Sequence, residues 1–158
     1  MKRMLYGALV LLCILLVSGC IGQNQSSTMT NNTAYTAPGN ISEVQKIEVL
    51  HFHGNLQCDT CIAVGAYAEE TVNTYFSEEV KSGRIVFAHI NIDLPENSEM
   101  VAKYEVTGSS LWIGVYGKNG FQFHKEKNNN VWYKTNNKEE YMNYLKDILE
   151  KRLNGEMQ

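Results

Sequence analysis

Two cysteines set two residues apart, in Cys58-Asp59-Thr60-Cys61, carry the strongest chemical signal of the 158-residue chain. Thiols at this spacing can close into a disulfide and open again. A short apolar run, residues 47–52, precedes them, and a helical pattern follows from 62 to about 81. At the first turn of a helix a sulfur meets unpaired backbone N–H groups and the positive end of the helix dipole. Both favour the thiolate, which is the nucleophile of thiol–disulfide exchange. Cys58 is therefore read as the attacking sulfur. Cys61, three positions on, is read as the sulfur that closes onto it and expels a bound substrate. Asp59 opposes a neighbouring thiolate and raises its pKa. That makes the pair less oxidising, so a reductant or electron relay is expected rather than a strong oxidant.

Two histidines, His51 and His53, stand just upstream. Imidazole titrates near neutrality, so either is a possible proton carrier for the second thiol. Alternation along a strand sends both to one face. His51, His53, Cys58 and Cys61 also offer four N/S ligands within eleven residues, a set that suits zinc or copper. Metal binding is thus the alternative to redox work. A third reading, a purely structural disulfide in a surface binding module, is weaker because so small a ring staples little chain.

The other two cysteines, Cys13 and Cys20, belong to the N-terminus. Lys2 and Arg3 precede an apolar run from 4 to 17, too short to span a bilayer, which takes roughly 20 residues. A basic start and an apolar middle make a secretory signal. It ends in Val17-Ser18-Gly19-Cys20, which resembles a lipoprotein lipobox. The resemblance implies a signal peptide over 1–19, cleavage after Gly19 and lipid on Cys20. The protein is then expected on the outer face of the cytoplasmic membrane. Residues 20–45, rich in Asn, Ser, Thr and Gln, cannot bury enough apolar surface to fold and read as a flexible tether. A coil of that length reaches on the order of 25–30 Å. All three Asn-x-Ser/Thr patterns, at Asn24, Asn31 and Asn40, begin within it. Loss of residues 1–19 leaves 12 basic against 17 acidic residues, a net charge of −5. With no basic cluster, nucleic acid is not an expected partner.

The folded domain is expected over 46–153, with a tail at 154–158. Residues 47–52 and 85–92 are nearly continuous apolar runs, read as strands buried on both faces. The helix after the cysteines presents Cys61, Val64, Ala68, Val72, Tyr75 and Phe76 at helical spacing and is stopped at Ser82-Gly83. Asn97 or Ser98 can cap a short helix ending near Tyr104. A third strand runs from 111 to 116. Gly117-Lys118-Asn119-Gly120 reads as a hairpin turn, with Asn119-Gly120 suited to type I′, and alternation at 121–124 marks a fourth strand with one wet face. Asn137 and Glu140 start the last helix, which buries Tyr141, Tyr144, Leu145, Ile148, Leu149 and Leu153. The order β-α-β-α-β-β-α implies an α/β domain: parallel strands first, then an antiparallel hairpin, in a central mixed sheet of about four strands flanked by helices.

From Lys46 to Leu153 the chain resembles thioredoxins. The residues that carry the resemblance are the CxxC pair, Asn91-Ile92-Asp93 at a strand end, and Tyr104-Glu105-Val106-Thr107-Gly108 ahead of the cis-proline position. His53-Gly54-Asn55, Ala66-Tyr67-Ala68-Glu69-Glu70, Ser82-Gly83-Arg84 and Pro95-Glu96-Asn97 look closer to one branch. That branch is the small thioredoxin-like family labelled nitrophenyl compound nitroreductase subunit (ArsF type). Nitroreduction would need a flavin, and no stretch here resembles a flavin site. The resemblance implies a thioredoxin-like fold and a redox-active disulfide, Cys58–Cys61, with no other cofactor. An exported thiol of this kind takes electrons from a membrane thiol donor and passes them to a disulfide-bearing protein or a small acceptor. Two positions depart from the thioredoxin pattern. Ser110 stands at the cis-proline position, where a trans bond is expected because a cis bond before a non-proline costs ~2.5–4 kcal/mol. Phe52 stands six residues before the first cysteine, where thioredoxins bury an aspartate.

Overall fold

The computed structural model describes residues 41–118 and 122–157. The signal peptide, Cys20, Asn24 and Asn31, Asn40 of the third glycosylation pattern, and Asn119-Gly120 of the hairpin turn lie outside the described residues. Among the described residues no helix is long and apolar enough to cross a membrane.

Strand β1 (Lys46–His53) is the centre of the domain, and every residue from Ile47 to Phe52 is buried. It pairs in parallel with β2 (Ile85–Asn91) and antiparallel with β3 (Ser110–Tyr116), which pairs antiparallel with β4 (Phe123–Lys127). The sheet order is β2-β1-β3-β4. The parallel pair is joined through helices α1 (Asp59–Tyr75) and α2 (Ser77–Lys81). Helix α3 (Ser98–Tyr104) leads into β3, and α4 (Lys138–Leu153) closes the chain. This is the expected α/β fold, a four-stranded mixed sheet flanked by helices.

Alternation along β1 divides the core in two. Ile47 and Val49 face α1 and α4 and pack with Val64, Ala68, Val72, Leu145 and Leu149. Leu50 and Phe52 face the other way and pack with Tyr104 of α3. Glu48 lies on that second side, buried, and accepts hydrogen bonds from Tyr104 Oη at 2.7 Å, Tyr116 Oη and Lys46 Nζ. Burial pushes its pKa up. The bonds from Lys46, Tyr116 and Tyr104, with the nearby charge of Lys103, outweigh that and hold the carboxyl below its ordinary value.

Several elements differ from the sequence reading. The helix after the cysteines is not continuous to 81. Phe76 leaves helical dihedrals at φ −128°, ψ 31°, while its side chain stays buried. Thr74, Tyr75 and Phe76 are weak helix formers, and the break sends Phe76 inward and leaves Tyr75 41 % exposed. Strand β2 is not buried on both faces, since only Ile85 of its seven residues is buried. It is an outer strand of the sheet, with one neighbour, and an apolar run alone does not tell an edge strand from a central one. Strand β4 starts at Phe123 and extends to Lys127, past the alternating residues 121–124, and Asn130–Lys134 forms a 3₁₀ turn. Asn97 precedes α3 without a side-chain capping bond, and its amide donates to the Asn91 carbonyl at 2.8 Å. Asn137 does cap α4, accepting from the Glu140 N–H at 3.1 Å.

Packing also reaches past the expected domain limits. Ile41 and Val44, placed in the tether, and Met157, placed in the tail, are buried together in the main core. The Ile41 N–H donates to the Gly155 carbonyl at 2.8 Å. The two ends of the domain hold each other, which no local sequence pattern announces.

Gly114 of β3 sits beneath the tyrosine–glutamate cluster. A β-carbon there would lie 3.0 Å from Tyr104 Cζ and 3.2 Å from Phe123 Cε2, and closer still to the Tyr104 hydroxyl. Gly114→Ala is expected to displace that hydroxyl from Glu48 and to cost about 1–3 kcal/mol through overpacking and a weakened buried hydrogen bond. Urea unfolding checks it: the midpoint should fall with an unchanged slope.

Candidate redox site

Cys58 and Cys61 form a disulfide, their Cα atoms 5.0 Å apart. Cys58 is the N-cap of α1, in extended backbone at φ −79° and ψ 162°. Its sulfur accepts the Cys61 N–H at 3.2 Å. Ser, Thr, Asp and Asn fill this position in most helices because a side-chain acceptor there meets an orphan N–H. Here a sulfur does so. Cys58 is exposed and Cys61, already in the first turn, is half-buried.

The loop before the disulfide is tied to the chain after β2. The Asn55 N–H donates to Asp93 Oδ2 at 2.7 Å, the Asn91 amide to Asn55 Oδ1 at 2.8 Å, and the Asp93 N–H to Asn91 Oδ1 at 3.0 Å. Gly54 keeps the approach open, since a β-carbon there would stand 3.2 Å from Asp93 Oδ2. Leu56, 95 % exposed, and Ile62, 52 % exposed, stand on either side of the two cysteines in the chain.

His51 and His53 do share one face, their rings 5.4 Å apart. They differ in setting. His51 is 1 % exposed and lies against Gly65 of α1, one turn beyond Cys61. A β-carbon at Gly65 would be 2.6 Å from His51 Cε1 and 2.9 Å from Cγ. His53 is half-buried, and its Nδ1 donates to the Gly54 carbonyl at 2.9 Å. Phe52, at the position of the thioredoxin aspartate, faces away into the α3 side of the core. Ser110 is buried, donates to the Gly108 carbonyl at 2.8 Å and accepts from Trp112 Nε1 at 3.1 Å.

A third histidine joins the first two. The β1–β2 register sets His89 directly beside His51, with their Nδ1 atoms 2.9 Å apart. His89 Nε2 lies 3.3 Å from Glu69 Oε2 of α1. Sequence reading missed His89 and Glu69. The signal that finds His89 is the strand register, which alternation alone leaves open. The zinc or copper set proposed from sequence, His51, His53, Cys58 and Cys61, has both sulfurs engaged in the disulfide. Among the described residues no three His, Cys, Asp or Glu side chains are arranged to hold a metal ion.

Burial first, then the fields of His89 and His53, bring the His51 pKa down to about 4, while the Cys61 backbone beside it acts the other way. His51 is therefore neutral in the folded protein at neutral pH.

The chain matches no protein-family model and no curated protein. Among solved structures it is similar to a thioredoxin from Thermus thermophilus, with 17 % identity and a TM-score of 0.43 over 68 % of this chain and 76 % of that one. It is also similar to a malarial protein, with 15 % identity and a TM-score of 0.35 over 52 % of this chain and 81 % of that one. The fold stands on the strand order and register described above.

The lowered pKa of His51 has a defined sign in stability. Between the ordinary value of 6.5 and about 4 the unfolded chain takes up a proton that the folded chain refuses. Stability should therefore fall as pH drops through this window and level off, for this group, near pH 4. Urea midpoints measured from pH 7 to pH 4 check it. The slope should be absent in His51→Asn, after allowance for that variant's lower starting stability.

Proposed function

We propose that this protein is a membrane-tethered, extracytoplasmic thiol–disulfide oxidoreductase, of the small thioredoxin-like branch named above, that works as a reductant or electron relay. The observation that carries the reading is the exposed sulfur of Cys58 at the N-cap of α1, already accepting a helix N–H. That N–H and the helix dipole stabilise the sulfur as a thiolate once the disulfide opens. The thiolate attacks a substrate disulfide. One substrate sulfur leaves as a thiolate and the other stays bonded to Cys58. Cys61 loses its proton and attacks Cys58, and the second substrate sulfur leaves with the electron pair. The product is the Cys58–Cys61 disulfide and a reduced substrate. A membrane thiol donor would then restore the dithiol by the same steps in reverse, and the acceptor is a protein disulfide or a small molecule. Exposed Leu56 and Ile62, on either side of the cysteines in the chain, suit contact with such a partner.

The two sulfurs should differ in reactivity. Alkylation of the reduced protein near neutral pH should label Cys58 well before Cys61. Cys61→Ser should accumulate a mixed disulfide with the partner, visible on non-reducing gels, and Cys58→Ser should accumulate none and lose reductase activity. Preferential labelling of Cys61 would reverse the assignment, and activity surviving both substitutions would end the oxidoreductase reading.

The tether rests on the Val17-Ser18-Gly19-Cys20 pattern. Two lipid chains hold a protein on a membrane where one is marginal. Wild-type protein should fractionate with membranes and show lipid on Cys20 by mass spectrometry. Cys20→Ser should be released or retain its signal, and an unmodified Cys20 in the mature wild-type protein would refute the anchor.

A further inference from the structure

Resolution of a mixed disulfide requires Cys61 to give up a proton, and Cys61 is half-buried. Phe52, six residues before Cys58, faces away and offers no proton acceptor. Of the two histidines of β1, His51 is the one packed against α1, at Gly65, one turn beyond Cys61. Alone it is a poor base, because burial leaves no room for its charged form. It is not alone. We propose that Glu69, His89 and His51 form a proton relay that draws the Cys61 proton to the protein surface during resolution. The proposal rests on the oxidoreductase reading above.

The hydrogen-bond directions follow from the groups present. A carboxylate only accepts, so His89 Nε2 carries a proton toward Glu69, at 3.3 Å. A neutral His89 then has its lone pair on Nδ1, and His51 Nδ1–H donates to it across 2.9 Å. This leaves the lone pair of His51 on Nε2. That atom is buried and, among the described residues, without a hydrogen-bond partner. Unpartnered buried polar atoms are rare and call for a cause. In the proposed relay the Cys61 thiol, absent while the disulfide is closed, takes that place.

The transfer balances. The Cys61 S–H proton passes to His51 Nε2 as the His51 Nδ1 proton passes to His89 Nδ1. His51 ends neutral with its tautomer exchanged. His89 ends as imidazolium beside the Glu69 carboxylate, at the exposed edge of the sheet. The Cys61 thiolate then attacks Cys58 and the substrate thiolate departs. The groups facing the relay are Glu69 and the Cys61 backbone from α1, and His53 from β1. His53 is held to Gly54 and bonds to neither relay histidine. His89 and Glu69 act through His51 and are positioning residues.

The test uses full-length protein carrying Cys13→Ser and Cys20→Ser, so that Cys58 and Cys61 are the only thiols. Reduced protein is mixed in a stopped-flow instrument with the aromatic disulfide dithiobis(nitrobenzoate). A first chromophore reports attack by Cys58, and a second reports closure by Cys61. The variant is His89→Gln, on the exposed strand, because loss of buried His51 threatens folding. Glutamine can accept from His51 and so keep the tautomer, but it carries no proton onward. The second phase should slow on the order of 10-fold or more near neutral pH, with the first phase unchanged. The deficit should shrink as pH rises and Cys61 ionises unaided. Rates in mixed light and heavy water should curve for the parent, as two moving protons require, and run straight for the variant. Glu69→Gln should slow the same phase less. An unchanged second phase in His89→Gln, or equal slowing of both phases, overturns the relay. Tight zinc binding by the oxidised protein that is lost in His89→Gln overturns it too, in favour of a metal site. A parent protein with no second phase at all is a different failure, that of the oxidoreductase reading itself.

Discussion

The side chain missing at Gly65 is the constraint on which the site depends. Helix α1 meets β1 where His51 occupies the space that a β-carbon would need, 2.6 Å from Cε1 and 2.9 Å from Cγ. With that space open, the helix settles on the central strand through Val64, Ala68 and Val72. Tyr141 of α4 fixes it from the other side by donating to the Val64 carbonyl at 2.7 Å. The first turn of the helix is thereby set in depth. Cys61 falls half below the surface, while Cys58, one position before the helix, stays in solvent. The unequal setting of two chemically identical thiols comes from how the helix is seated, not from anything between the cysteines.

The two faces of β1 treat their buried titratable groups in opposite ways, and the difference lies in the partners. Glu48 is surrounded by donors, two tyrosines and a lysine, with Lys103 close by. Together they overcome burial, so the carboxylate remains charged and is cross-linked into the sheet. The same contacts push the Tyr104 and Tyr116 hydroxyls up, after burial itself, and keep them as donors. His51 meets two other histidines, whose fields add to burial instead of opposing it. One side of the strand holds a fixed charge that braces β1, β3 and α3. The other holds a neutral, polarisable imidazole against α1, one turn beyond Cys61, the kind of group that the proposed proton movement needs.

Much of this was legible in the sequence. The CxxC pair between a strand and a helix, the four-stranded mixed sheet and the capped last helix all follow from local pattern, because strand alternation, helix spacing and caps are short-range effects. What local pattern left open was pairing. The apolar run at 85–92 looks central, yet β2 has one neighbour and buries only Ile85. His89 lies within that run and gave no signal of its own, because only the register Leu50↔Ala88, His51↔His89 sets it beside His51. Ile41 and Met157, expected in tether and tail, complete the core from opposite ends of the folded domain. Gly65 read as an ordinary helix residue, and its role appears only when the strand beneath it is known.

The placement of Cys58 and of the histidines bears on the direction of electron flow. A sulfur at a helix N-cap is stabilised as an anion by N–H groups that are already oriented, which by itself favours the dithiol and an oxidising pair. Asp59, exposed in the same first turn, opposes that anion. A dithiol that must give electrons away needs its second thiol to ionise at the moment of resolution and not before. In the proposed cycle Cys61 stays a thiol until a mixed disulfide forms on Cys58. On the proposed chemistry the neutral His51, too weak to charge alone, then makes proton loss conditional on a path outward through His89.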